Sequence, residues 1–254
     1  MITFDAITNH STLIDENDFF RHYFDPDALF RYDSNFFQLM YSPSKEEFEL
    51  IEEMQWVFSE ENGLNHVKFY WPENLGIRPD TLEYLGDHEY GLEKLELYSI
   101  DPSDFPESPD NSDVRIEVVT SDQLSVFKSI NYIEDKETST AFANAKQSFY
   151  DRLFKDESIT FLLASYKNQP AGSCILIRSD WGIEIDDLFT LKEYRSKGIA
   201  TAVQKYIIEE AASFGKKVFL VADAEDTPKE MYIKNGFTYE GFRIGAQKEI
   251  KGEK

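Results

Sequence analysis

Cysteine is almost missing from this chain. Its 254 residues include one, Cys174, so no intrachain disulfide can form. Cys174 falls in an apolar strand pattern, and a buried structural thiol is expected there rather than a nucleophile. No stretch approaches the ~18 apolar residues that a membrane span needs. Residues 1–5 carry neither a basic region nor an apolar run, so no signal peptide is expected and a cytoplasmic location is inferred. Histidine is confined to His10, His22, His66 and His88. No His, Cys and carboxylate spacing suits a metal ion, so no metal is expected. Also missing are a Gly-x-x-x-x-Gly-Lys-Ser/Thr loop and the second loop glycine of a dinucleotide fold.

Positive charge is scarce, and unevenly so. There are 26 Lys and Arg against 48 Asp and Glu, a net charge of -22. Residues 1–112 hold 6 basic and 25 acidic side chains, a net of -19. Residues 113–254 hold 20 and 23, a net of -3. Binding to a nucleic-acid backbone is disfavoured by that balance. The near-neutral part can accept an anionic ligand, and the acidic part can draw a cationic amine toward the molecule. Between them, residues 101–112 are dense in Pro, Ser and Asp, which reads as a linker. The expected organisation is a domain over 1–104, a linker over 105–112 and a domain over 113–254. Apolar content of 41% suffices for a packed core in each.

Hydrophobic periodicity supplies the elements. In the first part, helical turns are expected over residues 15–23 and a strand over 35–41. A helix over 44–61 opens on Ser44 with Glu47 three residues on, a capping box. A strand over 66–71, a short helix over 79–85 and a strand over 90–100 come next. The second part reads as a strand over 114–120, helices to 130 and over 136–154, and strands over 159–166, 171–178 and 182–190. A helix to 214, a strand over 217–222, a helix over 227–234 and one or two strands over 237–250 complete it. The fold class expected is α/β (α+β), a mixed, mostly antiparallel central sheet flanked by helices.

The most informative stretch is 185–214. Its first residues, through Leu188, Phe189 and Thr190, are β-branched and aromatic. Its last residues place Ile199, Val203, Tyr206, Ile207, Ala211 and Phe214 at helical spacing. Between them runs Arg195-Ser196-Lys197-Gly198-Ile199-Ala200-Thr201. The first amides of a helix have no partner within it, and the helix dipole adds partial positive charge. Gly198 lets a ligand approach the backbone, Ala200 keeps the next turn small, and Lys197 adds a formal charge. The stretch therefore reads as an anion site.

Arg195-x-x-Gly198-x-Ala200 resembles the Arg/Gln-x-x-Gly-x-Gly/Ala motif of the GNAT N-acetyltransferases. Leu188-Phe189-Thr190, Glu193-Tyr194-Arg195 and Met231-Tyr232-Ile-Lys-Asn-Gly236-Phe237 are similar to the same family, and the order of elements over 113–250 is its order. The resemblance implies an acyl-CoA-dependent N-acyltransferase, with acetyl-CoA as co-substrate. Loop amides from Arg195 to Thr201 would hold the pyrophosphate, and Phe189 and Thr190 would pair with the pantetheine. An amide near Leu188 or Phe189 would stabilise the thioester oxygen. Tyr232 would be the acid for the leaving sulfur.

The base stays open among Glu184, Asp186 and Asp187, directly or through a water. Simple alternation places Glu184 and Asp186 on one face and Asp187 on the other, and a bulge would undo this. Glu225 stands where the family often has Asn, seven residues before the tyrosine. The acceptor is a small-molecule amine or a protein or peptide amine, and a monomer or homodimer is expected. The first part echoes strand, helix and strand without the loop, which resembles a degenerate GNAT-like copy. The alternative is a non-catalytic module that binds coenzyme A and recruits a partner through its first domain.

Overall fold

The computed structural model describes residues 1–107, 109–225 and 228–250. In chain order the strands and helices are β1 (Thr12–Glu16), β2 (Phe20–Phe24), β3 (Phe36–Leu39), α1 (Lys45–Asn62), β4 (His66–Tyr70), α2 (Pro79–Asp87) and β5 (Gly91–Ile100). Then come β6 (Val114–Val118), α3 (Leu124–Asp135), α4 (Thr140–Leu153), β7 (Ile159–Tyr166), β8 (Gln169–Arg178) and β9 (Ile183–Thr190). The chain ends with α5 (Ile199–Phe214), β10 (Val218–Asp223), α6 (Pro228–Lys234) and β11 (Thr238–Glu249). Two compact units result. One is built mainly from residues 3–96 with residues 241–249, the other from residues 97–221 and 228–240. The strand pairings are mostly antiparallel, as the alternating and hairpin-linked strands predict.

In the N-terminal unit β1, β2 and β3 pair antiparallel in sequence. β3 then pairs parallel with β4, which obliges the long crossover that α1 supplies. Residues 245–249 of β11 run antiparallel to β4. α1 begins as the sequence predicts. Ser44 Oγ accepts from the Glu47 amide, and the Glu47 carboxylate accepts from the Ser44 amide at 2.8 Å. It stops at Gly63, whose φ of 73° is easy only for glycine. Phe20, Phe37, Phe48, Phe69 and Trp71 fill the core beneath it.

One expectation fails here. Residues 15–23 are not helical. They belong to the β1–β2 hairpin, which carries a bulge between Leu13 and Asp15. The turn is fixed by Asn17, whose Oδ1 accepts from the amides of Phe19 and Phe20 at 2.9 and 3.0 Å. Phe20 and His22 are buried while Arg21 between them is not, a period of two that overrode the weak helical pattern.

In the C-terminal unit β6, β7, β8 and β9 form an antiparallel meander, and β10 joins β9 in parallel. The strand order is β5–β10–β9–β8–β7–β6. α3 packs on α4 and β8, and α5 crosses β6 to β9. Residues 238–249 form one strand rather than two. No helix of the described residues is long and apolar enough to cross a membrane.

Candidate active site

The site is built on β9, the loop after it and the start of α5. β9 pairs regularly with β8 from Ile183 to Asp186, and pairing resumes at Phe189 opposite Ser173. Asp187 and Leu188 therefore both face the single residue Cys174. This is a β-bulge, with Asp187 in the left-handed region at φ 49°. The simple alternation expected for the strand holds through Asp186 and ends there. Asp186 and Asp187 help make the bulge themselves, because the Asp186 carboxylate accepts from the Asp187 amide at 2.9 Å.

A buried polar cluster holds the Asp187 side chain. Its Oδ2 accepts from Lys146 Nζ at 2.7 Å and from the Tyr150 hydroxyl at 3.2 Å. Lys146 also donates to Asp135 at 2.9 Å, and Tyr150 lies 3.1 Å from the same carboxylate. Asn131 Oδ1 accepts from Ser173 Oγ at 3.1 Å and closes the cluster onto β8. Burial raises the Asp135 carboxyl above its ordinary range even against the pull of Lys146. Burial opposes the charge on Lys146, yet Asp187 and Asp135 outweigh it and keep the ammonium protonated. Burial and the two carboxylates push the Tyr150 phenol far up, so it remains a donor.

Sequence reasoning missed Lys146, Tyr150 and Asp135. The available signal was the four-residue step from Lys146 to Tyr150, which puts both on one helix stripe. Cys174 is fully buried and its thiol is pushed well up by that burial, which fits the structural reading.

On its other edge β9 meets β10 for a short distance only. The paired positions are Val218 with Ile183 and Phe219 with Glu184. Among the described residues the pairing with β10 goes no further, while β9 continues to Thr190. Glu184 is 5% exposed and stands at the last paired position, while Asp186 is half-buried. Thr190 carries a hydroxyl shielded from solvent that has no partner among the described residues. Gly172 of β8 lies tight against this end. A Cβ there would sit 2.5 Å from the Phe189 carbonyl oxygen.

Past Thr190 a 3-10 turn at Lys192–Tyr194 leads into the predicted loop. Arg195 folds back, its Nε donating to the Thr190 carbonyl at 3.3 Å. Ser196 and Gly198 both have left-handed φ, 61° and 78°. α5 begins at Ile199, which is 2% exposed and anchors the turn. No side chain caps the helix start, and its first turn has no acidic residue. Backbone hydrogen bonding resumes with the Ala202 amide donating to Gly198 at 3.0 Å. The amides ahead of it, through Ala200 and Thr201, are the outward-pointing donors of a helix start. Lys197 is exposed, and Asn111 Nδ2 donates to its carbonyl at 2.8 Å. A groove of about 450 Å³ lies beside Gly198, Thr201 and Lys205.

Tyr232 lies on α6 and is 7% exposed, its ring 6.4 Å from Tyr98 and 5.7 Å from Phe237. α6 is tied to α5. Asn235 Nδ2 donates to Gln204 Oε1 at 2.8 Å, and Gln204 Nε2 points to Met231 Sδ at 3.7 Å. Gly236 ends α6 at φ 89°, where a Cβ would come within 2.7 Å of the Asp104 carbonyl. Glu184, Asp186, the bulge and the loop thus share one continuous β9–α5 segment. α6, the helix that carries Tyr232, is tied to this segment through the buried amide of Gln204. Glu225 is exposed. Among the described residues no cluster of His, Cys, Asp and Glu could hold a metal ion.

With that geometry in place, comparison with known proteins gives a family. Residues 127–237, nearly all within the C-terminal unit, match the Acetyltransferase (GNAT) family. Residues 2–98 match a domain of unknown function, DUF5613. A functionally unknown conserved protein from Staphylococcus epidermidis is similar over 98% of both chains, with a TM-score of 0.90 and 29% identity. A GCN5-related N-acetyltransferase from Sphaerobacter thermophilus shares the fold at a TM-score of 0.57 and 17% identity, over 80% of this chain and 69% of that one. A tandem GNAT protein from the clavulanic acid biosynthesis pathway does so at 0.52 and 9%, over 81% and 70%. No curated protein matches the chain.

Proposed function

We propose that the GNAT domain moves an acetyl group from acetyl-CoA to a primary amine, by direct attack while both substrates are bound. One observation carries the reading. β9 pairs with β10 only as far as Glu184, bulges at Asp187, and runs into a helix start that opens on a left-handed glycine with no side-chain cap. An open strand edge suits an amide-bearing arm, and a helix start without an acidic side chain suits a diphosphate. The solvent-shielded, partnerless Thr190 hydroxyl beside them fits a site made to receive a polar ligand.

Acetyl-CoA would supply the activated acyl group as a thioester. The chain's own residues do the rest. The amides from Ser196 to Thr201, with Lys197, hold the phosphates. Leu188, Phe189 and Thr190 offer backbone groups to the arm, and an amide at Leu188 or Phe189 donates to the developing oxyanion. Asp187 is already committed to Lys146 and Tyr150. Glu184 and Asp186, on the same strand ahead of the bulge, are read as the bases, acting directly or through a water. Tyr232 holds the proton for the departing thiolate. The N-terminal unit, which lacks the loop motif, is read as a degenerate GNAT-like copy.

The experiment is thiol release from acetyl-CoA with a panel of small amines and lysine-bearing peptides. Amine-dependent release that Gly198→Val abolishes supports the reading, since that position needs both positive φ and the space beside Asn111. Cofactor binding without release for any amine favours the non-catalytic module. Undiminished binding by the Gly198 variant refutes both.

A further inference from the structure

The N-terminal unit holds a second polar site that acetyl transfer does not use. In β4 and β11 the residues Val67, Phe69 and Ala246 join the apolar core. Their neighbours Lys68, Tyr70, Arg243 and Gln247 lie on the opposite face by strand alternation. The registers extend this face across four strands: Arg21 pairs with Gln38, Gln38 with Tyr70, and Tyr70 with Gly245. The 3-10 turn Phe4–Ala6 closes over it, the Phe4 amide donating to Glu73 at 3.2 Å. Between turn and sheet lies a cavity of about 200 Å³. One water needs roughly 10–15 Å³, so there is room for a small molecule. Its walls include the aromatic residues Phe4, Tyr23 and Phe36 and the polar residues Arg21, Gln38 and Arg243.

The two arginines differ. Arg21 is neutralised, with Glu16 at 2.6 Å and Asp5, which also lines the cavity, at 4.0 Å. Arg243 makes no ion pair and no hydrogen bond among the described residues. Its guanidinium carbon lies 3.7 Å from the Tyr70 ring centroid and 4.8 Å from that of Phe4. Both rings lie within cation–π distance of it, and an aromatic ring satisfies none of its N–H donors as an oxyanion would. Its Nε is shielded from solvent and has no acceptor among the described residues. A buried N–H left this way is costly, and its acceptor is to be sought in the cavity. The clamp is built in. The Tyr70 hydroxyl donates to Asp33 at 2.6 Å, and Gly245 leaves the space the ring occupies, since a Cβ there would meet Tyr70 at 3.0 Å.

We propose that this cavity binds a small molecule bearing an oxyanion, a carboxylate or a phosphate. Arg243 gives the paired N–H donors, and the three aromatic rings take up the ligand's apolar part. The inference does not depend on the transferase reading.

The test titrates the full-length protein, free of coenzyme A, by calorimetry with two series of matched size. One series is acetate, succinate and citrate, the other inorganic phosphate and glycerol phosphate. One series is expected to bind saturably at one site, and Arg243→Gln to weaken it tenfold or more. Should that variant fail to fold, Gln38→Glu reads the same property by placing an isosteric negative charge beside Arg21. Gly198→Val should leave this binding intact. No saturable binding by either series overturns the proposal. So does binding indifferent to both cavity variants, or binding lost with Gly198→Val and kept with Arg243→Gln.

Discussion

Replacing Lys146 by methionine tests whether its ammonium is what holds the β9 bulge. Lys146 is 11% exposed and donates to Asp135, itself 6% exposed, and to Asp187, 32% exposed. Methionine keeps most of the volume and removes the charge. Two carboxylates then share one phenol, that of Tyr150. Removing one member of a buried ion pair costs about 3–5 kcal/mol. Asp187 can turn partly toward water, which places the expected loss near the lower end, about 3 kcal/mol. That is a large part of the ~5–15 kcal/mol that holds a domain folded.

The loss also has a pH signature. Burial already raises the Asp135 carboxyl in the native protein, and without Lys146 it rises further. The folded state then takes up a proton more readily than the unfolded chain. Stability from this group is present in full below the unfolded value of ~3.9 and is lost as pH climbs through the folded one. The deficit of the variant should therefore be greatest above neutrality and shrink toward pH ~4. Urea titrations of both proteins across that range measure it. Adding Asp187→Asn should recover part of the loss, because one of the two stranded charges is gone. A deficit under ~1 kcal/mol, or one that does not change with pH, refutes the reasoning.

Burial holds the His66 imidazole at about 4, below the ordinary ~6.5, so the unfolded chain takes up a proton in that window and the native state does not. Stability should fall on acidification between those values by roughly 3 kcal/mol, and His66→Phe should flatten that slope in denaturant titrations; an unchanged slope rejects it. Tyr232→Phe should lower turnover roughly 10²-fold or more with the melting temperature nearly unchanged, and undiminished turnover removes Tyr232 from the mechanism. Gly172→Ala should cost about 1–3 kcal/mol and weaken coenzyme A uptake, because the new methyl meets the Phe189 carbonyl at 2.5 Å; calorimetry showing normal uptake rejects that link.

What the sequence disclosed depended on how local its cause was. The Ser44 and Glu47 capping box closes within four residues, and the structure forms it as read. Gly198 and Gly236 each answer a positive φ at one position, so their motifs stand out in the chain. The β1–β2 hairpin did not, because its alternation is short and interrupted by charged residues. The bulge at Asp187 was still less visible. Asp is tolerated at left-handed φ, and what settles it there is a lysine and a tyrosine from α4.

The same distinction explains the buried charges. A lysine in a helix or strand ordinarily reads as a solvated face. Lys68 is 0% exposed and held by Glu93 and Gln247, which come from two other strands. Lys146 is held by Asp135 at the end of the preceding helix and by Asp187 on a distant strand. Each is buried because partners from other segments neutralise it, and no window of the sequence contains the set. The loop motif marks the proposed phosphate site, since a helix start needs only its own residues. The proposed base and the proposed oxyanion clamp are assembled by topology. Glu184 gains its place from the separation of β9 and β10, and Arg243 from rings contributed by the first residues of the chain and by β4. Substitutions at Lys146 and Arg243, neither of which any motif singles out, should therefore disturb ion balance and binding as strongly as substitutions within the motifs themselves.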